Sequence, residues 1–218
     1  MLAVRNLTLR KNDSQILTDI SFDAALNQIT TVIGPSGSGK TSLLRCVAGL
    51  ERYQGCIQFN NHPINHVGFV EQDSTLFPHF TAYDDIAYPL KLRKKTSSQI
   101  RQAVAQLADQ LHITAVLQRY PHQLSGGEQR RIMLARTLIY EPQIVLFDEP
   151  FAGVDTLLRI ELVKLVKHLL LQRSVTTLYV THDLREAEYM SSHQVVLKQG
   201  QRVPDTDPWL PHFLKQRF

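Results

Sequence analysis

Ile29-Thr30-Thr31-Val32-Ile33-Gly34-Pro35-Ser36-Gly37-Ser38-Gly39-Lys40-Thr41 is a strand-like run followed at once by G-x-x-x-x-G-K-[ST]. A strand feeding such a loop, with the amphipathic Leu43, Leu44 and Val47 behind it, is the local plan of a phosphate-binding turn. Gly34, Gly37 and Gly39 let the backbone adopt positive φ and turn successive N–H groups inward, and a helix opening at Lys40 adds the positive end of its dipole. A polyphosphate is the guest that suits this cradle, which also includes Pro35, Ser36, Ser38 and Ser42. Lys40 would reach the β- and γ-phosphates as a point charge, and the Thr41 hydroxyl would ligate Mg²⁺.

Outward from this loop the chain reads as α/β. Leu2 to Leu9 and Ile16 to Phe22 alternate as strands, with Lys11-Asn12-Asp13-Ser14 as the turn between them. A helix from Lys40 to Ala48 is closed by Gly49, and short strands are expected at Cys56 to Phe59 and Val67 to Val70. Strand, loop, helix, strand order predicts an α/β core. From Asp73 to about Gln123 helical spacing takes over. Thr96 and Gln99 can form a capping box ahead of an apolar stripe of Ile100, Val104, Leu107 and Leu111. Such an insertion reads as a helical subdomain. Beyond Ser125 a helix carries Ile132, Ala135, Leu138 and Ile139 on one face and stops at Glu141-Pro142, before the strand Gln143 to Asp148. A helix from about Thr156 to Leu171, a strand Val175 to Thr181 and a pair using Val195-Val196-Leu197 with Gly200 in the turn complete the pattern.

Composition bounds the function classes. The chain has 218 residues, 43% of them hydrophobic, and a formal net charge of +4. That is enough for one sizeable core. The charges are dispersed, with Arg93-Lys94-Lys95 the densest cluster, so the basic balance reads as solvated surface and no nucleic acid is expected as a partner. No apolar run reaches the 18 or more residues of a membrane helix, and Met1 to Asn6 lacks the apolar stretch of a secretory signal, which predicts a cytoplasmic protein. Cys46 and Cys56 have no metal or redox spacing and read as small core residues.

The chemistry concentrates at a second strand end. Ile144-Val145-Leu146-Phe147 runs into Asp148-Glu149-Pro150, two carboxylates at the C-terminal edge of a buried strand, where open α/β sheets bind ligands. Asp148 would hold Mg²⁺ together with Thr41, and Glu149 would orient and deprotonate an attacking water. Neighbours on a regular strand point to opposite faces, so both can serve one site only if the strand ends there, and Pro150 argues that it does. Ser125-Gly126-Gly127 opens another helix whose free N–H groups form a second anion site.

Leu124-Ser125-Gly126-Gly127-Glu128-Gln129 resembles the signature motif of the ATP-binding cassette family, and the other parts fall in that family's order over nearly the whole chain. The resemblance implies a P-loop NTPase (RecA-like) core with an N-terminal antiparallel β-subdomain and an inserted α-helical subdomain. It makes 1–218 a single nucleotide-binding domain, with 73–123 as the insertion. It also implies that two copies sandwich ATP, the phosphate loop of one facing Ser125, Gly126 and Gly127 of the other. Gln72 matches the Q-loop glutamine, which touches Mg²⁺ and the water. Asp155, in Ala152-Gly153-Val154-Asp155, matches the D-loop aspartate at the dimer interface. His182, in Val180-Thr181-His182-Asp183, matches the switch histidine on the γ-phosphate. One departure is plain: where the family usually stacks an aromatic on adenine, this chain has Arg10-Lys11-Asn12-Asp13, and no aromatic precedes Phe22.

Phe77-Pro78-His79-Phe80, Tyr88-Pro89-Leu90 and Phe151 resemble small-solute importers. The resemblance therefore implies the ATP-hydrolysing subunit of a bacterial importer at the cytoplasmic face of the inner membrane. Its partners would be a second copy, transmembrane permease subunits and, indirectly, a solute-binding protein. The face near Leu76 to Tyr88 would receive a cytoplasmic helix of the permease, and the tail from Pro204 to Phe218, with Trp209 and Phe213, is expected to pack back on the core. The alternatives are a lipoprotein-release or division-type cassette, a non-transport cassette acting on DNA or ribosomes, and a soluble P-loop kinase.

Overall fold

The computed structural model describes residues 1–12, 14–204 and 207–210. Two sheets and six helices carry the described chain. Strands β1 (Leu2–Lys11), β2 (Ser14–Ala24) and β4 (Gln54–Phe59) form an antiparallel sheet in the order β2-β1-β4. Strands β3 (Ile29–Ile33), β5 (Val67–Val70), β6 (Ile144–Asp148), β7 (Thr176–Val180), β8 (Gln194–Lys198) and β9 (Gln201–Arg202) form the second sheet. Its order is β5-β6-β7-β3-β8-β9, parallel up to β8, with β9 antiparallel at the edge. The helices are α1 (Lys40–Val47), α2 (Ala82–Leu92), α3 (Ser97–Gln110), α4 (Gly126–Leu138), α5 (Thr156–Gln172) and α6 (Leu184–Met190).

The alternation of side chains along β6 and β7 decides which functional residue meets which layer. Ile144, Leu146, Leu178 and Val180 pack with α1 and the antiparallel sheet, whereas Val145, Phe147 and Tyr179 pack with α2, α3, α4 and α5. Every residue of β6 and β7 is buried, as a parallel strand covered on both faces requires. By the same period of two, Asp148 falls on the α1 side and meets the phosphate loop.

Most expected elements are in place with ends shifted by a residue or two. The capping box of α3 forms as read, the Thr96 side chain accepting from Gln99 N, and Ile100, Val104, Leu107 and Leu111 are all buried. Helix α6 was not legible in the sequence: at seven residues, capped by Asp183, it is too short to show a repeating stripe. One expectation fails. Cys46 is buried but Cys56 is exposed, because β4 is the edge of its sheet and alternation turns Ile57 inward instead. Leu76 is buried, so the outer face of that segment begins at Phe77, which is 40% exposed and meets Phe80 in a tilted contact and Tyr88 edge-on, at centroid distances of 5.1 and 5.3 Å. Trp209 packs on Ile33, Leu184 and Val196 under Lys198, as expected for that residue; 205–206 and 211–218 of the tail, Phe213 among them, lie outside the described residues.

The antiparallel sheet is fastened to the phosphate loop from above. Thr18 N donates to Gly200 O at 2.8 Å and Gly200 N donates to Ser38 O at 3.2 Å. This three-way contact brings Ile16 of β2 to the mouth of the loop.

Candidate nucleotide site

The phosphate loop has the backbone its glycines anticipate: φ is 154° at Gly34, 77° at Gly37 and 98° at Gly39. Gly34 cannot carry a side chain here, since a Cβ would stand 2.1 Å from the Leu197 carbonyl oxygen of β8. The loop therefore presses directly on the sheet. Lys40 is buried, and its Nζ donates to the carbonyls of Gly34 at 3.0 Å and Pro35 at 2.9 Å, so the ammonium is already folded over the loop. Ser38 Oγ is buried with no hydrogen-bond partner within the protein. An unsatisfied buried hydroxyl, inward N–H groups and a folded-over ammonium fit an anionic guest.

Asp148 is 3% exposed and lies beside the Thr41 hydroxyl. Burial pushes its carboxyl up, the Thr41 hydroxyl opposes this, and the nearby Glu149 carboxylate adds to the rise. A buried carboxylate facing a threonine hydroxyl is a donor set of hard oxygens that suits Mg²⁺.

Glu149 solves the problem of opposite faces. Strand β6 ends at Asp148, and Glu149 takes φ 47°, the left-handed region that a side-chain-bearing residue seldom enters. The reversal redirects its carboxylate: Oε2 lies 2.8 Å from His182 Nδ1, while Glu149 N donates to Val180 O at 3.0 Å and fastens the turn to β7. Such a local strain at a strand end is the kind that functional sites hold. Glu149, Gln72, Lys40, Thr41, Ser42, Ser36, Gly37, Gly39 and Ile16 line one open cavity of about 430 Å³. Among the residues lining this cavity none is aromatic.

Gln72 is reached by a route the sequence did not reveal. Arg45 of α1 donates to Glu71 at 2.8 Å and to Glu51 at 3.0 Å, and Lys11 donates to the same Glu51 at 2.6 Å. The residue before Gln72 is thus tied to the phosphate-loop helix. Arg45 and Glu71 are distant in sequence and carry no motif, so only the fold pairs them.

Two predicted site segments stand apart from this cavity. Ser125 caps α4: its Oγ accepts from Glu128 N at 3.3 Å and donates to the Glu128 carboxylate at 2.9 Å. The Ser125 backbone N–H, donating to Glu128 at 2.7 Å, holds that carboxyl below its usual range. Asp155 caps α5 by accepting from Leu158 N at 3.1 Å. Ser125, Gly126 and Asp155 are exposed, and neither cap lines the phosphate cavity. Gly127 is buried for another reason, because a Cβ there would meet Leu158 at 3.0 Å.

The ABC transporter family matches residues 17–152, more than half of the chain. The chain belongs to that family. The sulfate/thiosulfate import ATP-binding protein CysA 1 of Agrobacterium fabrum is 40% identical over 209 residues, 90% of this chain and 60% of that protein. The protein of the same description from Escherichia coli K12 is 38% identical over 211 residues, 91% of this chain and 58% of its own. The chain therefore spans about three fifths of the length of these curated relatives. Among solved structures, cbiO1 of Clostridium perfringens, part of the ABC transporter complex cbiONQ, superposes with a TM-score of 0.84. It is 25% identical, over 93% of this chain and 86% of that one. Among the described residues no helix is long and apolar enough to cross a membrane.

Proposed function

We propose that this chain is an ATP-hydrolysing, nucleotide-binding subunit that drives a membrane importer of a small solute. The observation that carries the reading is Glu149, turned by its left-handed backbone into the same cavity as Lys40, Thr41 and Gln72 and held by His182. In this reading residues 1–218 act as one nucleotide-binding domain, with 73–123 as its helical insertion.

The roles follow from position. The loop N–H groups from Gly34 to Ser42, with Pro35 shaping the turn, cradle the phosphates, and Lys40 transfers its hydrogen bonds from loop carbonyls to the β- and γ-oxygens. Thr41, Asp148 and Gln72 hold Mg²⁺, which when bound neutralises charge on the phosphate oxygens. Glu149 takes the proton of the attacking water as the water oxygen bonds to the γ-phosphorus and the bond to the leaving ADP oxygen breaks. His182 holds the Glu149 carboxylate in line and faces the γ-phosphate. Ser125, Gly126 and Asp155, exposed and away from the chain's own cavity, serve with the N–H of the buried Gly127 the nucleotide of a second copy, so that ATP bridges the pair.

Closing and reopening of that dimer would move permease subunits through the helical insertion, with a solute-binding protein delivering cargo to the permease. The aromatic cluster of the exposed Phe77 with the half-buried Phe80 and Tyr88 supports the permease contact, and the chain would act peripherally at the cytoplasmic face of the membrane. Sulfate and thiosulfate, named for the relatives, are the cargo to test first.

Glu149→Gln is the deciding experiment. The variant is expected to bind ATP normally, release less than a hundredth of the wild-type phosphate, and elute as a dimer in ATP. Wild-type turnover in this variant would remove Glu149 from the mechanism. Loss of binding in Lys40→Ala checks the cradle separately.

A further inference from the structure

Next to His182 in the chain, and outside the lining of the phosphate cavity, a set of charged and polar groups packs together. Tyr179 is fully buried in β7, and its hydroxyl donates to Glu186 Oε1 at 2.6 Å. The Glu186 side chain is 8% exposed and borders the same small void as Thr181. Arg159 of α5 places Nη2 2.8 Å from Asp183 Oδ2 and Nε 4.0 Å from Glu186 Oε2. Asp183 in turn caps α6, accepting from Arg185 N at 2.9 Å and Glu186 N at 3.2 Å, and its own N–H donates to the Thr181 hydroxyl at 3.1 Å. Both neighbours of His182 in the chain are thus bound into one polar cluster. Glu149, Thr181, His182, Arg159 and Glu186 also border one small void of about 10 Å³, which sets the cluster beside the catalytic pair.

Arg159 lies one turn into α5, and its N–H donates to the Asp155 carbonyl at 2.9 Å. The first turn of α5, which Asp155 opens, is therefore connected to His182 through side chains that hold fixed positions. Burying Glu186 opposes its ionised form, and a merely space-filling position would be met at less cost by an apolar residue. Arg159 and Tyr179 offset that cost, and they do so at the one place where the backbone carries the histidine.

We propose that Arg159 and Glu186 are positioning residues that hold His182 against Glu149 and tie its placement to the Asp155 end of α5. Displacement of that end, such as docking of a second copy would cause, then shifts the imidazole. The proposal rests on the hydrolytic reading of Glu149 and His182, and its test separates the two.

The test uses Glu186→Gln, Arg159→Met, their combination and Arg159→Lys, with Tyr179→Phe to replace Glu186→Gln if that variant does not fold. Each single variant is expected to lower kcat for ATP about 10- to 100-fold with nucleotide affinity and KM unchanged. The combination should be no slower than the worse single, because the two act as a unit, and Arg159→Lys should recover part of the rate. A second readout needs no turnover: ¹⁵N spectra of the His182 ring should show one tautomer in the wild type and an averaged signal in both single variants. Wild-type kcat in the single variants, rate losses that multiply in the combination, or unchanged His182 signals would each overturn the proposal. A wild-type protein without ATPase activity would overturn the hydrolytic reading instead, and the ring spectra would still decide the linkage.

Discussion

Asp148 is buried beside the half-buried Glu149, and its burial makes a prediction of its own. Asp148 is desolvated, so its proton is bound more tightly in the folded than in the unfolded chain. Its ionised form consequently destabilises the nucleotide-free fold at neutral pH, and this cost is relieved as pH falls through the raised folded value. Asp148→Asn should therefore raise the melting temperature at pH 7 by roughly 3 °C. The gain should shrink as pH is lowered toward 4, and Mg²⁺-dependent nucleotide binding should be lost; equal gains at pH 4 and pH 7 would contradict the assignment. Base recognition is a second residue-scale matter. Ile16 is the apolar side chain at the cavity mouth and no aromatic lines it, so a purine has little stacking surface. Titrations with ATP and GTP should give affinities within about threefold of each other, and Ile16→Tyr should favour binding of both.

Helices α4 and α5 meet at Gly127, which makes their packing testable at the scale of the element. A Cβ at Gly127 would stand 3.0 and 3.1 Å from the two Leu158 methyl carbons, whereas one at Gly126 would meet nothing within 4 Å. Gly127→Val should cost roughly 1–3 kcal/mol of folding stability by overpacking, and Gly126→Ala should leave it within about 0.5 kcal/mol. Denaturant midpoints of the two variants separate the packing role of the second glycine from the open position of the first. Both glycines looked alike in the sequence, where each was read only as an N–H donor at a helix start. The difference lies in Leu158, about thirty residues further on, and no local pattern announces which glycine of a pair faces a neighbouring helix. The α3 capping box and its apolar stripe, by contrast, were legible because every partner lies within a few turns of the same helix.

For the whole molecule the central prediction concerns two copies. If each nucleotide is held by Lys40 of one chain and Ser125 of another, then Lys40→Ala and Ser125→Arg are each inactive alone. An equal mixture of the two should regain activity at about a quarter of its sites, since each mixed dimer has one site with both defects and one with neither. No recovery on mixing would show that each chain uses its own Ser125. The phosphate loop, the strand ending in two carboxylates, the helix opening at Ser125 and the α/β order are legible in the residues alone, because each is written in contiguous residues whose chemistry is local. It took the folded chain to show that Glu149 turns toward His182, that Arg45 steadies the residue before Gln72, that Cys56 lies outside, and that Tyr179, Arg159 and Glu186 converge next to the histidine. Those pairings span stretches of chain with no periodicity of their own. They exist because parallel strands buried on both faces bring distant side chains to a common edge.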